Sequence, residues 1–278
     1  MKTMTEKSIV VSGSFDDLRS PHLRFFEEAV KLGAVTVLLW SDETVEMVEG
    51  HTPKFSLAER EYMIQAVRYV SDVQIVTGHI NPDALPGQNA YQWDGWVVAE
   101  KDASAQKSVF CKSHGLTYSV LTTDGVAGFP QPQDAILQPS PGKKKVIVTG
   151  CYDWLHSGHI RFFEEASAYG DLYVAVGNDA NVTHLKGEGH PLFSQEERRY
   201  VVQAIRYVKQ AVITLGMGWM DAEPNIAIIK PDIYLVNEDG DKPEKVQFST
   251  EHNLEYVVLK RTPKEGLTAR SSTNLRGY

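Results

Sequence analysis

Cysteine is scarce. The chain has two, Cys111 and Cys151, one in each half and at non-equivalent places. Two such thiols build neither a disulfide framework nor a zinc cluster. Long apolar runs are also missing: no stretch approaches the roughly 18 to 20 residues that a membrane span needs. The opening MKTMTEKSIVVSG lacks the apolar centre of a signal peptide. The sequence therefore predicts a cytoplasmic protein without a membrane span. Basic residues are outnumbered, with 28 Lys and Arg against 36 Asp and Glu and a net charge of −8. That balance argues against a nucleic-acid partner, because neutralising a phosphate backbone takes a broad basic face. It leaves room for a small phosphorylated ligand in a locally basic pocket.

What the chain does have is length and repetition. Its 278 residues suit two domains, each large enough to bury its own core. SGSFDDLRSPHLRFFEEA from Ser12 and TGCYDWLHSGHIRFFEEA from Thr149 are the same phrase at an offset of 137. FSLAEREYMIQAVRYV from Phe55 pairs with FSQEERRYVVQAIRYV from Phe193, and FCKSHGLTYSVL from Phe110 with FSTEHNLEYVVL from Phe248. Three ordered blocks at so long a period mean a duplicated domain, since stacked repeats recur every 20 to 50 residues. Between the copies, GFPQPQDAILQPSPGKKK is rich in proline and reads as a linker. The expected division is a first domain over 1–130, a linker over 131–143 and a second domain over 144–278.

Within each copy short apolar strands alternate with amphipathic helices. The helices expected from Glu59 and Glu197 run to about Val70 and Val208, and a short helix precedes the fourth strand of each copy. This alternation predicts an α/β fold, two tandem Rossmann-like domains with doubly wound parallel sheets and ligands at the carboxyl ends of the strands.

In the second copy the strand ending at Gly150 meets a loop and a helix expected to start near Ser157. A helix start offers free N–H groups and the positive end of a dipole to an anion. His156 and His159 share one side of that start and can donate hydrogen bonds to phosphate oxygens as charge builds at phosphorus. Gly158 between them removes a side chain where a nucleotide approaches. Asp153 either caps the turn or helps to hold a magnesium ion. Asp179 reads as a loop cap. Trp219 stacks on a ligand or belongs to the core.

GCYDWLHSGH resembles the G-x-F-D-x-x-H-x-G-H signature of the cytidylyltransferase-like nucleotidylyltransferases. SSTNLR from Ser271 resembles that family's second signature, S-[ST]-T-x-x-[RK]. KRTPKEG resembles its R-T-x-G element, lengthened so that the roles of Arg261 and Arg270 are open. The resemblance implies that His156, His159 and Lys186 are catalytic. It places the nucleotide against Gly150, Cys151, Tyr152, Gly158, Arg198, Ser271, Ser272, Thr273 and Arg276. It implies Mg²⁺ as cofactor, with Asp153 as its candidate ligand. Taken alone, Lys186 reads more readily as a solvated loop lysine, and Arg198 as a surface helix residue paired with Glu196 or Glu197.

The tandem arrangement resembles that of the ethanolamine-phosphate cytidylyltransferases. It implies transfer of CMP from CTP to a phosphorylated small alcohol, with release of pyrophosphate. NDANVTHLKGEGHP is similar to the matching stretch of heptose-phosphate adenylyltransferases, so ATP with a sugar phosphate is the alternative, and a noncatalytic nucleotide sensor or scaffold is a second one. In the first copy Arg19 replaces His156, Pro21 replaces Gly158, Glu49 faces Lys186 and no SST follows the last strand. That copy is expected to keep the fold without nucleotidyl transfer, as half of an internal pseudo-dimer, with a further homodimer open. Arg19 either binds a phosphate or pairs with Asp16 or Asp17.

Overall fold

The computed structural model describes residues 7–86, 93–132 and 135–276, and the chain divides into two compact units, Met1–Gly128 and Phe129–Tyr278. In the first unit β1 (Ser8–Gly13), α1 (Ser20–Ala29), β2 (Ala34–Trp40), α2 (Asp42–Glu49), α3 (Leu57–Gln65) and β3 (Val70–Val76) are followed by β4 (Gly95–Ala99), α4 (Ala105–His114) and β5 (Thr117–Leu121). The second unit repeats the series. It runs β6 (Lys145–Gly150), α5 (Ser157–Ser167), β7 (Asp171–Val176), α6 (Asp179–Lys186), α7 (Gln195–Gln203), β8 (Val208–Ile213), α8 (Glu223–Ile229), β9 (Ile233–Asn237), α9 (Pro243–Glu251) and β10 (Glu255–Leu259), and ends in α10 (Ser272–Arg276).

The sheets are β3-β2-β1-β4-β5 and β10-β9-β6-β7-β8, and every pairing is parallel. Both units are α/β and Rossmann-like. Helices cover both faces of such a sheet, so its central strands read as unbroken apolar runs. Val146, Ile147 and Val148 of β6 are fully buried, as are the side chains of β7 from Tyr173 to Val176. The repeated RFFEEA is explained by packing and by charge. Phe26 and Phe163 are fully buried under their sheets, while Arg24–Glu28 and Arg161–Glu165 form ion pairs one helical turn apart.

Two local details recur at the same offset. β2 and β3 change register between Val35 and Thr36, and β7 and β8 between Leu172 and Tyr173. A Cβ on Gly33 would stand 2.4 Å from the Lys7 carbonyl oxygen, and one on Gly170 would stand 2.2 Å from that of Lys144. These glycines let the turn before the second strand press against the start of the first.

Three expectations are corrected. The helices expected to run to Val70 and Val208 stop at Gln65 and Gln203, and those valines open β3 and β8. The aromatic and β-branched RYV suits a strand better than a helix end. The short helix before the fourth strand forms as α8 in the second unit. Its counterpart is absent from residues 77–86, and residues 87–92 lie outside the described ones. The stretch expected as a linker is held along the second unit. Phe129 stacks on Tyr200, the Leu137 carbonyl accepts from the Tyr173 hydroxyl at 2.6 Å, and the Ser140 N–H donates to Asp171 at 2.6 Å. Its prolines keep the backbone extended, and side chains of β7 and β8 satisfy its polar groups. Among the described residues no helix is long and apolar enough to cross a membrane.

Gly170→Ala should lower the stability of the second unit by about 1–3 kcal/mol, because the obstacle is backbone that cannot swing aside. Gly142→Ala, a change at a glycine with open space around it and a left-handed φ of 74°, should cost only about 1 kcal/mol. Urea unfolding of the two variants checks the order.

Candidate functional site

In the second sheet the strand order reverses on either side of β6, toward β7 and toward β9, which opens a crevice at their carboxyl ends. The loop from Cys151 to His156 lies over that crevice. Tyr152 takes a left-handed φ of 53° there, as Phe15 does with 45° in the first unit.

Two residues fix the loop. Asp153 is buried, and its carboxylate accepts N–H bonds from Leu192 at 2.8 and 3.0 Å and from Phe193 at 3.0 Å. Arg198 is 1% exposed and donates to the carbonyls of Phe193, Cys151 and Gly177 and to the Asp179 carboxylate, at 2.6 to 2.9 Å. The first unit repeats both arrangements. Asp16 accepts from the N–H groups of Lys54 and Phe55, and Arg60 donates to Phe55, Ser14, Trp40 and Asp42.

These observations correct two assignments. Arg198 is not poised for a pyrophosphate, because it is buried and four of its five N–H groups are spent on the scaffold. Asp153 is not a magnesium ligand, because its lone pairs meet backbone N–H groups in a buried turn. Among the described residues no group of three His, Cys, Asp or Glu is placed to hold a metal ion, so the residues present do not fit a protein-built magnesium site. Asp179 is not the cap either. Asn178 caps α6 through its side chain, and Asp179 pairs with Arg198.

His156 is the N-cap of α5 and accepts from the Gly158 N–H at Nδ1, 3.1 Å away. Its ring stacks on that of His159, with centroids 3.8 Å apart. A Cβ on Gly158 would lie 3.0 Å from the His156 ring, so this glycine makes room for the imidazole. Burial, and after it the charges of Arg261 and Arg270, push the pKa of His156 down to about 3. Burial, then His156, Arg261 and Lys186, hold that of His159 well below the usual range. Both imidazoles are therefore neutral at pH 7, able to donate a hydrogen bond and surrounded by cations.

Two adjoining cavities open beside them. One of about 500 Å³ is lined by Gly158, Asn237, Asp239, Arg261, Arg270 and Ser271 among others. The other, of about 320 Å³, is lined by Gly150, Cys151, Tyr152, His159, Lys186 and Ser272, with Trp219, Asp221 and Lys245. They share Phe162, Asn237 and Asp239. The structure thus brings together His156, His159, Lys186, Gly150, Cys151, Tyr152, Gly158, Ser271 and Ser272. Thr273 is exposed on α10, and the side chain of Arg276 lies outside the described residues. Trp219 is half exposed at the rim, with the Lys242 ammonium 5.0 Å over its ring. The cations beside the histidines are Arg261 and Arg270, the two residues whose roles the lengthened R-T element left open. Arg261 is steered by Asp239, 2.8 Å away. Asp221 and Lys245 carry no sequence signal: each sits in an ordinary helix-start pattern and becomes conspicuous only through burial.

The first unit carries other residues at the matching places. Arg19 pairs with Asp17 at 2.9 Å, and Lys54 with the same carboxylate. Pro21 stands in the first turn of α1, and Glu49 ends α2 where Lys186 ends α6.

Fold and site together define a Rossmann-like nucleotidylyltransferase domain. Residues 147–274, within the second unit, match the family model described as cytidylyltransferase-like. The chain is 42% identical over 119 residues to the bifunctional protein HldE of Aliarcobacter butzleri, which covers 42% of this chain and 24% of that protein. It is 38% identical over 95 residues to the bifunctional protein HldE of Geobacter metallireducens, covering 34% of this chain and 18% of that one. The chain thus spans a quarter or less of these relatives. A solved lipopolysaccharide core biosynthesis protein from Thermoplasma volcanium aligns at 24% identity with a TM-score of 0.37, over 45% of this chain and 100% of that one.

Arg198→Met should destabilise the second unit by about 3 kcal/mol or more, since it leaves three carbonyls and Asp179 without their donor. Arg60→Met should do the same to the first; urea unfolding measures both. The neutral histidines set a pH dependence. Between pH 6.5 and about 3 the unfolded chain binds protons that folded His156 refuses, so stability falls as pH falls through that window. His156→Asn should flatten the acid limb of a plot of denaturation midpoint against pH.

Proposed function

We propose that the second unit is an adenylyltransferase, joining the α-phosphate of ATP to a sugar phosphate with release of pyrophosphate. The observation that carries it is the stacked, neutral His156–His159 pair at the start of α5, flanked by Arg261, Arg270 and Lys186 where two cavities meet. The nucleotide lies in the larger cavity with its α-phosphorus against the histidines, and the acceptor lies in the smaller one. An acceptor phosphate oxygen attacks in line: its bond to the α-phosphorus forms as the bond to the β-phosphate oxygen breaks, and pyrophosphate leaves with that electron pair. The imidazoles donate hydrogen bonds to the oxygens on which charge builds, and the three cations oppose the triphosphate's charge. Ser271 and Ser272 offer hydroxyls to the departing phosphates. The chemistry is positioning and electrostatics, with no covalent intermediate on the protein.

The similarity of Asn178–Pro191 to heptose-phosphate adenylyltransferases and the HldE relatives support ATP and a sugar phosphate. The cytidylyltransferase-like description of the family model favours a second reading, CTP with a phosphorylated small alcohol. The first unit serves without catalysis in either reading, since Glu49 and the Arg19–Asp17 pair oppose or cancel the charge a triphosphate needs.

A panel of ATP and CTP against sugar phosphates, glycerol 3-phosphate and phosphoethanolamine, scored by pyrophosphate release, tests the proposal. ATP with a sugar phosphate should give the highest kcat/KM. His159→Ala should lower that release by about 100-fold or more, whereas His22→Ala should leave it unchanged. Nucleotide binding without pyrophosphate from any pair would make the protein a sensor instead.

A further inference from the structure

The smaller cavity holds three buried polar groups that the transfer step leaves unused. Lys245, on α9, is 6% exposed. Its ammonium donates to Thr149 Oγ1 at 3.5 Å and lies 5.7 Å over the Tyr234 ring. It forms no salt bridge among the described residues, so an ammonium with three donors makes one long hydrogen bond. Asp221 is buried beside Gly177, with Oδ2 3.6 Å from where a Cβ on that glycine would stand, and its carboxylate already accepts from the Thr214 and Asn181 side chains and the Ala222 N–H, so a ligand hydroxyl would take its remaining lone pair. Tyr152 is 6% exposed, and its hydroxyl has no hydrogen-bond partner. That hydroxyl lies 3.0 Å from where a Cβ on Gly150 would stand, and Gly150 is tied to Gly177 by a 2.9 Å backbone bond. All three groups converge on the carboxyl end of β6.

A buried ammonium whose nearest carboxylate, Asp221, acts on it without a salt bridge, and a buried hydroxyl without a partner, each cost stability. Burial lowers the pKa of Lys245 and raises that of Asp221, which measures the same cost on both charges. Groups held at such expense in a cavity are matched to something that enters it. The chemistry of the occupant follows from the donors and acceptors. An ammonium with open donors takes an anion, and Lys186 lines the same cavity. A carboxylate beside a phenol takes hydroxyl groups, one accepting and the other donating. The cavity is lined by two lysines, Lys186 and Lys245, and two carboxylates, Asp221 and Asp239, of which Asp239 is paired with Arg261; the face of Trp219, where an alkylammonium head would stack, already carries the Lys242 ammonium.

We propose that Lys245, Asp221 and Tyr152 select the acceptor: Lys245 holds its phosphate, and Asp221 and Tyr152 bind hydroxyls of a phosphorylated polyol or sugar. This rests on the transfer reading above and assigns the acceptor side of that site to two residues outside both signatures, Lys245 and Asp221, and to Tyr152 within the first.

The full chain and its Lys245→Met, Asp221→Asn and Tyr152→Phe variants are compared with mannose 1-phosphate, ribose 5-phosphate, glycerol 3-phosphate and phosphoethanolamine. Pyrophosphate release gives the KM for acceptor and for nucleotide, and thermal unfolding gives the midpoint. Lys245→Met should raise the KM for sugar phosphates at least about tenfold, the loss expected for a charge-assisted hydrogen bond, while the nucleotide KM stays the same and the midpoint is equal or higher. Asp221→Asn should reduce the preference for sugar phosphates over phosphoethanolamine. Tyr152→Phe removes only an unpartnered hydroxyl, so it folds whatever Lys245→Met does, and it should raise the sugar-phosphate KM severalfold.

A rise in nucleotide KM, an unchanged acceptor KM, or a lower midpoint with both constants impaired overturns the assignment and leaves the transfer reading intact. If the unaltered protein releases no pyrophosphate with any pair, the transfer reading fails instead. The cavity assignment is then judged by the midpoint: a sugar phosphate that raises it in the unaltered chain and not in Lys245→Met supports binding, and no rise in either overturns it.

Discussion

The buried guanidinium of Arg198 is the interaction on which the site depends. From the first turns of α7 it reaches the carbonyls of Phe193, Cys151 and Gly177 and the Asp179 carboxylate, tying the loops after β6 and β7 to the start of α7. A guanidinium is suited to this because its donors lie in a rigid plane and it stays charged when buried. Once Cys151 is pinned, Tyr152 is forced into a left-handed turn, Asp153 meets the N–H groups of Leu192 and Phe193, and His156 arrives at the head of α5. The geometry of the imidazole pair is the consequence of a residue that touches neither ring.

The charges above that frame do different work. Burial strips His156 and His159 of their protons. Two stacked imidazoles that were both charged would repel each other strongly at 3.8 Å, so neutrality is what permits the stack. Positive charge beside the imidazoles comes from Arg261, Arg270 and Lys186, and the Asp239 carboxylate lessens its cost at Arg261. The arrangement separates directional hydrogen-bond donors from charge, and each can be lost without the other.

The first unit keeps the frame and carries other charges above it. Arg60 and Asp16 repeat the scaffold bonds nearly atom for atom, and α1 keeps its RFFEEA packing. What has changed is charge and shape at the ligand face: Glu49 for Lys186, Pro21 for Gly158, and an arginine neutralised by Asp17. A fold survives such substitutions because none of them falls in the core or in the loop-tying network.

The sequence by itself determined the duplication, the alternation of strands and helices, the parallel sheets and the positions of the histidines, because periodicity and signature spacing are local properties of a chain. It misjudged Arg198 and Asp153, whose place in a signature marks them equally well as scaffold or as ligand contacts. Which of the two they are depends on where backbone carbonyls and N–H groups from distant segments come to lie. It gave no sign of Lys245 or Asp221, since a lysine in a helix is unremarkable until the fold withdraws water from it. Chain order carried the scaffold, and only tertiary structure, by burying some polar groups unpaired and consuming others in loops, decided which remain available to a ligand.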